Sequence, residues 1–199
     1  MNARAEIYLH IHPIENQVLI ISRYLGHHLS ARAAHQRQGN PTFLKSIIYI
    51  SLMKIEDFLV EAKRQTYGLL TSKPKQLDDG SKEFLFELDE YVYRDRYFGG
   101  NPFIGEEVVY REGTPVWSMN YYGKATQRDP NEIFRFLVKA LGKVEKKKPF
   151  RGPEKYAEGS WLYRFISRGN VNSFWGEEEI LYDGIKVYWL RFHGGEIGA

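Results

Sequence analysis

The chain has 199 residues, of which 43% are hydrophobic and 15% aromatic, enough to bury one sizeable core or two small ones. It contains no cysteine, which excludes disulfides, thiolate metal sites and cysteine nucleophiles. The longest apolar runs are interrupted by Arg23 and Lys45 and fall short of the roughly 20 residues that span a bilayer. The N-terminus also lacks a secretory signal pattern. We therefore expect a cytoplasmic protein with no membrane segment and no cofactor.

Residues 1–52 differ in composition from the rest of the chain. They hold five of the six histidines, five basic residues and only two acids, so the formal net charge of +3 arises here. Met53 opens the amphipathic stretch "MKIEDFLVEAKRQTYG" and is the expected start of a single domain over 53–199. Residues 1–52 are then an accessory extension, or an upstream stretch included by an early start codon, and poorly ordered.

The histidines of this segment do not form a recognisable metal site. None of their spacings matches the patterns that place ligands on one helix face, and His27 and His28 are adjacent. The stretch "SRYLGHHLSARAAHQ" has some features of a helix-turn-helix, but no second periodic helix follows its turn. From the histidine spacing we expect no metal. We also expect no nucleic-acid partner, since the chain from Met53 onward carries equal numbers of basic and acidic residues.

From Met53 the predicted elements follow one another as a helix and three strands, and then the same again. The first helix has its apolar face in 55–62, and its strands cover about 83–97, 104–111 and 115–122. Asp129 and Pro130 predict the N-cap and first turn of a second helix with its apolar face in 133–140. Strands over about 160–168, 175–182 and 185–193 follow, the last two joined by the hairpin signal Asp183-Gly184.

The two sets of elements are similar in sequence. "FIGEEVVYREG" begins at Phe103, and "FWGEEEILYDG" begins 71 residues later at Phe174. Residues 91–100 at an offset of 70 and residues 103–123 at an offset of 71 share ten identities in 31 positions. We therefore predict an α+β fold in two layers with an antiparallel sheet. Two helix-strand-strand-strand repeats, about 53–125 and 129–195, combine about a pseudo-twofold axis to form this one domain.

The segment "YVYRDRYFGGNPFIGEEVVYREGTPVWSMNYYG", residues 91–123, resembles a prokaryotic family, domain of unknown function 5680. The resemblance extends from about Met53 to Gly195 through "PFRGPEKY" and "VYWLRFHGG". Members of this family often look like the C-terminal partner of an Xre-type helix-turn-helix regulator. The resemblance thus implies a regulator as a partner, and it assigns no activity to any residue of this chain.

The repeat duplicates a pair of glutamates, Glu106-Glu107 and Glu177-Glu178. Because neighbouring strand residues face opposite sides, one glutamate of each pair must point toward the covered side of the sheet. There it would have a raised pKa or pair with an arginine such as Arg94 or Arg164, since both arginines are also repeated. These four glutamates are either acid/base groups of an enzyme or, the interpretation we favour, a brace that sets strand register.

The last strand of each repeat has one apolar face and one polar or amphipathic face. Residues of the first kind, which we expect to pack beneath the helices, are Trp117, Met119, Tyr121, Tyr188, Leu190 and Phe192. Residues of the second kind, the candidate ligand-binding set, are Ser118, Asn120, Tyr122, Trp189, Arg191 and His193. This second face either lines a cleft for a small molecule or is simply solvated. The sequence thus favours a small-molecule-binding or sensing domain, with an enzyme and a structural or interaction domain as alternatives.

Overall fold

The computed structural model describes residues 53–198 and the backbone of two strands in the N-terminal segment. The chain separates into two compact units, 1–52 and 53–199. In the first unit, strand β1 (Ile7–Ile11) pairs antiparallel with strand β2 (Val18–Ser22). The predictions on histidine ligation, a helix-turn-helix and the extent of order in 1–52 lie outside the described residues.

The second unit contains a nine-stranded sheet in which all paired strands run antiparallel. Its strands are β3 (Lys75–Gln76), β4 (Lys82–Leu88), β5 (Tyr91–Gly99), β6 (Phe103–Arg111), β7 (Thr114–Ala125), β8 (Lys155–Glu158), β9 (Trp161–Asn170), β10 (Ser173–Tyr182) and β11 (Ile185–Glu196). The order across the sheet is β3-β4-β5-β6-β7-β11-β10-β9-β8. Strands β7 and β11 therefore meet at the centre, with Tyr121 opposite Phe192.

Two helices pack against this sheet, helix α1 (Ile55–Gln65) and helix α2 (Pro130–Leu141). The predicted start of the second helix is confirmed, because the Asp129 carboxylate accepts a hydrogen bond from the Asn131 amide at 3.0 Å. Phe58, Leu59 and Ala62 of α1 and Ile133 and Ala140 of α2 are fully buried in the core that the helices form with the sheet. The fold is thus α+β, with the helices covering one face of an antiparallel sheet.

The C-terminal ends of the two helices touch through glycines. A Cβ atom on Gly142 would lie 2.8 Å from the carbonyl oxygen of Gly68, a distance that real Cβ contacts do not reach. Arg64 adds a hydrogen bond of 3.0 Å from its Nη2 to the carbonyl oxygen of Val144. This close approach holds the turn after α1, which includes Tyr67, against the core.

The predicted buried face of the central strands is confirmed. Trp117, Met119, Tyr188 and Leu190 are fully buried, and Tyr121 and Phe192 nearly so. We call the helix-covered side of the sheet the inner face and the opposite side the outer face.

The prediction of one strand over 83–97 is wrong. The segment forms β4 and β5, joined by a tight turn in which Asp89 has a φ of 53°. The hairpin was missed because its turn residues are Asp89 and Glu90 rather than the Asn-Gly or Asp-Gly pairs that signal such turns. Strand β8 was missed as well, so each half of the sheet has four main strands rather than three, β4 to β7 in one and β8 to β11 in the other.

Candidate functional site

The six residues of the candidate ligand-binding set lie on the outer face, on the two central strands. Tyr122 lies opposite Arg191 and Asn120 opposite His193, and the rings of Tyr122 and Trp189 are 5.6 Å apart. The Arg191 side chain is 79% exposed, and its Nε lies 3.9 Å from Glu177. None of the six lines the large cavity described below. Their role in binding stays a prediction.

The paired glutamates divide between the two faces, as the strand alternation predicts. Glu107 and Glu178 are buried on the inner face, at 0% and 1% exposure. Glu106 and Glu177 lie on the outer face, with side chains 44% and 59% exposed. Of the four glutamates, only Glu107 and Glu178 are therefore shielded from water by the protein interior.

The prediction that an arginine such as Arg94 or Arg164 pairs with a buried glutamate is wrong. Arg94 pairs with Glu106 at 3.5 Å, and Arg164 pairs with Glu179, both on the outer face. Each arginine lies on the strand next to its expected glutamate, but its Cβ points to the outer face, so its side chain cannot reach the inner face. The buried cations come instead from helix α1 and from the segment between α2 and β8.

Arg151 is the cation of Glu178. Its Nη2 donates to Glu178 Oε1 at 2.8 Å and its Nε to Oε2 at 3.2 Å, a two-pronged geometry. The hydroxyls of Tyr163 and Tyr188 donate to the same carboxylate at 2.6 and 2.9 Å. Burial is the largest single influence on the pKa of Arg151 and lowers it, but the charge of Glu178, the nearby Tyr67 and Tyr188 and the hydrogen bond to Glu178 together outweigh burial and raise the pKa well above the usual value. Four donors thus saturate Glu178.

Lys63 of helix α1 is the cation of Glu107. Its ammonium group forms a short ion pair with Glu107 Oε2 and donates to the Tyr67 hydroxyl at 3.0 Å. The Tyr67 hydroxyl donates in turn to Glu107 Oε1 at 3.2 Å, and Arg151 Nη1 is 3.9 Å away. Burial lowers the pKa of Lys63 more strongly than the Glu107 charge raises it. This pair is less well compensated than the one at Glu178.

A cavity of about 1100 Å³ lies beside these charges, between the inner face and helix α2. Its apolar lining comes from Leu69, Leu70, Phe84, Tyr97, Phe103, Phe134, Leu137, Val138 and Leu141. Polar groups reach it from Tyr67, Asp95, Tyr121 and Arg151, and Lys82 and Arg135 also contribute to its lining. Large apolar walls with a few convergent polar groups are typical of small-molecule sites.

The cavity lining includes two carboxyl groups, the exposed Asp129 and the buried Asp95. Asp95 is 3% exposed, lies directly opposite Glu107 on the neighbouring strand, and accepts a hydrogen bond of 2.6 Å from the Tyr121 hydroxyl. Burial, and after it the charge of Glu107, raises the pKa of Asp95 from 3.8 to about 7. A carboxyl group with these properties in a cavity is a candidate binding or proton-transfer group.

The sequence did not predict a role at this site for four residues, Asp95, Lys63, Tyr67 and Arg151. One signal for Asp95 was present, since the repeat offset of 70 aligns it with Phe165, an acid where the other copy has an aromatic residue. In the described part of the chain, no three His, Asp or Glu side chains are grouped so as to hold a metal ion. No helix within residues 53–198 is long and apolar enough to cross a membrane.

The comparison with protein families gives one result. The family described as Domain of unknown function (DUF5680) matches residues 95–197, which include Asp95, Glu107, Arg151 and Glu178. No curated protein and no solved structure matches the chain. The matched segment is slightly more than half of the chain and covers both central strands of the sheet. The chain belongs to the DUF5680 family.

Proposed function

We propose that residues 53–198 form a small-molecule-binding domain whose site is the cavity between the inner face and helix α2. The observation that carries the proposal is a buried carboxyl group, Asp95, in a cavity of about 1100 Å³ with otherwise mostly apolar walls. A cavity of this size holds a drug-sized molecule. A buried carboxyl group costs stability unless it is compensated, so its position in a cavity favours a role in recognition.

The cavity is a better candidate than the outer face. On the outer face the proposed cation, Arg191, is 79% exposed and lies near an acid, Glu177. Water competes strongly for a ligand on such a surface, whereas the cavity removes much of a ligand from water. The six outer-face residues are therefore secondary in the proposal.

Binding is also favoured over acid/base catalysis by the paired glutamates. Glu178 is saturated by four donors, and Glu107 is held by Lys63 and Tyr67. Groups bound this completely act as braces, as the sequence favoured, although they join helix, loop and sheet instead of setting strand register through Arg94 and Arg164. The exposed Glu106 and Glu177 lie on the opposite face of the sheet from the cavity.

We further propose that the domain arose by duplication of one unit and that a pseudo-twofold axis passes between β7 and β11. The strand order, in which the fourth main strands of both halves meet at the centre, supports this, as do the ten identities between the halves. The cavity lies on the side of the first half, against Asp95. A sensing role, with a transcription regulator as partner, is the corresponding proposal for the biological use of the site.

The test is a cavity-blocking variant with a matched control. Val138 is half-buried, lines the cavity from α2, and Val138→Trp would fill part of its volume. Val92 is also half-buried but lies on the outer face of β5, so Val92→Trp adds the same bulk away from the cavity. Each protein is exposed to a metabolite extract, repurified, and its bound molecules are released and identified by mass spectrometry.

We expect one or more small molecules to be retained by the wild type and by Val92→Trp and lost from Val138→Trp. Retention by all three proteins would contradict the cavity as the site. Absence of any retained molecule from the wild type, in this assay and in the titrations of the next section, would contradict the function itself.

A further inference from the structure

We propose that the ligand of the cavity is a cation with an apolar body, such as a primary amine on an aromatic or aliphatic group, and that its ammonium group pairs with Asp95. The inference rests on the proposed function and specifies its ligand class. Three features of the cavity support this ligand class, namely the charges buried around it, the hydrogen bonds already made there, and its aromatic walls.

The buried charges around the cavity do not balance. Three acids, Asp95, Glu107 and Glu178, are buried together with only two bases, Lys63 and Arg151. Lys63 is committed to Glu107 and Arg151 to Glu178. One carboxyl group, Asp95, is thus left over among the described residues, and a single positive charge entering from the cavity would neutralise it.

Asp95 also has unused hydrogen-bonding capacity. An ionised carboxylate can accept about four hydrogen bonds. Among residues 53–198, the Tyr121 hydroxyl is the one side chain that donates to Asp95. An ammonium group brings three donors and a charge, and would supply what this carboxylate lacks.

The walls next to Asp95 suit a cation with an apolar body. The rings of Phe103 and Tyr121 lie 6.0 Å apart, and those of Phe84 and Tyr97 lie 6.4 Å apart. Aromatic faces attract a cation that has left water, which adds to the attraction of the carboxylate. The leucines of α2 and of the turn before β3 provide an apolar wall for the rest of the molecule.

An anionic ligand fits the cavity less well. Arg151, the deep cation, already gives two hydrogen bonds to Glu178 and has its second terminal nitrogen near Glu107. Lys82 lies 5.7 Å over the Tyr97 ring. Arg135, the other basic residue of the lining, is exposed to water. An anion placed beside Asp95 would therefore meet the unpaired carboxyl group of Asp95 and no buried cation that lacks an acid partner among the described residues.

The test uses three probes with the same body, 2-phenylethylamine, 2-phenylethanol and phenylacetate, titrated into the full chain by NMR or calorimetry at pH 8. We expect the amine to bind at least about tenfold more tightly than the alcohol, since hydrogen bonds to charged groups are the stronger ones, and phenylacetate to bind most weakly. Asp95→Asn keeps an acceptor for Tyr121 and should remove the preference for the amine while leaving the alcohol nearly unchanged. Val138→Trp should weaken both, and Val92→Trp neither.

The amine should also bind more tightly as the pH rises through about 7, because Asp95 then loses its proton. The charged groups that face Asp95 are Glu107, Lys63 and Arg151, and each is held by another partner in the structure. The Tyr121 hydroxyl donates to Asp95 itself, and the pKa values of Tyr67, Tyr97 and Tyr121 are all raised by burial, so these groups stay neutral across this pH range. The alcohol should show no such pH dependence, which separates ligand charge from a general effect of pH on the cavity.

Each outcome decides something different. If amine and alcohol bind equally to the wild type, or if Asp95→Asn keeps the preference for the amine, the cationic ligand is wrong and the binding cavity stands. If phenylacetate binds best, the site prefers anionic ligands and the inference is overturned. If none of the three binds, the inference fails, and the proposed function fails with it when the wild type also retains no molecule from the metabolite extract. Should Asp95→Asn not fold, the comparison of the three probes on the wild type still decides.

Discussion

The two halves of the sheet place different chemistry at equivalent positions. In the first half, Asp95 and Tyr121 meet in a hydrogen bond of 2.6 Å. At the aligned positions of the second half, Phe165 and Phe192 stack with ring centroids 5.6 Å apart. The second half therefore closes its core with aromatic packing where the first half keeps a polar pair and a cavity. At these two aligned positions, the side chains thus decide between aromatic packing and a polar pair beside a cavity.

The buried glutamates of the halves differ in the same way. Glu178 is held by a two-pronged arginine and two tyrosine hydroxyls. Glu107 is held by a lysine whose pKa is lowered by burial, and it lies opposite a second acid, Asp95. Like charges placed directly opposite on neighbouring strands are unfavourable. The second half is thus the better compensated of the two, and mutations should reveal this difference.

The largest effect is expected at Arg151. Arg151→Met leaves Glu178 buried without its charge partner, which should lower the free energy of unfolding by about 3–5 kcal/mol. Lys63→Met should cost less, because Glu107 keeps Tyr67 and the nearby Arg151. Urea denaturation of the two variants measures the difference, and a loss at Lys63 equal to or greater than that at Arg151 would reverse the proposed ranking of the halves.

The next effect concerns the central strand of the second half, where adjacent residues face opposite sides. Leu190 is fully buried, so Leu190→Ala should lower the free energy of unfolding by about 2–5 kcal/mol. Arg191→Ala, one residue away on the outer face, should change it by less than about 1 kcal/mol. Denaturation curves of this matched pair test the assignment of faces, and unfolding of the Arg191 variant would contradict it.

The pH dependence of stability should separate the halves further. The folded state holds a proton on Asp95 up to about pH 7, whereas the unfolded chain releases it near 3.8. Between these values the folded state binds more protons, so the contribution of Asp95 to stability falls as the pH rises, by on the order of 4 kcal/mol in total. Above about pH 7 the group is ionised in both states and adds no further change.

Asp95→Asn should remove this pH dependence. The variant should gain on the wild type as the pH rises from 4 to 7 and be the more stable protein at pH 8, as measured by thermal or urea denaturation across that range. Glu154→Gln is a control, because that exposed carboxylate has a lowered pKa set first by its hydrogen bond with Lys148. A wild type whose stability rises steadily from pH 4 to 7 with the same slope as Asp95→Asn would falsify the assignment.

The smallest effects are expected for the arginines that the repeat duplicates. Arg94→Ala and Arg164→Ala break ion pairs on the outer face, with side chains that are 30% and 49% exposed. Each should lower the free energy of unfolding by less than about 1 kcal/mol. A loss comparable with that of Arg151→Met in either variant would show that the duplicated arginines, rather than Lys63 and Arg151, brace the fold.

Much of the fold was predictable because its signals are local. The alternation along 117–121 and 188–192 gave the buried face, since side chains in a strand alternate between the two sides of a sheet. Asp129 and Pro130 gave the start of α2 through hydrogen bonding and backbone geometry within one turn. The turn at Asp89 was not predictable in this way, because its residues lack the glycine that marks most such hairpins.

The candidate site was predictable only in part. The glutamate pairs were found because they are repeated, and alternation was enough to expect one buried carboxylate in each. Their cations were not found, because Lys63 is 44 positions from Glu107 and Arg151 is 27 positions from Glu178. Which cation reaches a buried acid depends on how helix and loop cross the sheet, and sequence spacing does not report it.

By itself the sequence determined both helices and most of the strands, the buried face of the central strands, the similarity of the two halves and the division of each glutamate pair between the faces. These follow from periodicity and from interactions among near neighbours in the chain. Only the tertiary structure decided that α1 delivers Lys63 to one acid, that Arg151 binds the other, and that Asp95 is left beside a cavity. The physical reason is that desolvation and charge pairing act through space, so the properties of a buried carboxyl group are set by whichever distant segments pack around it.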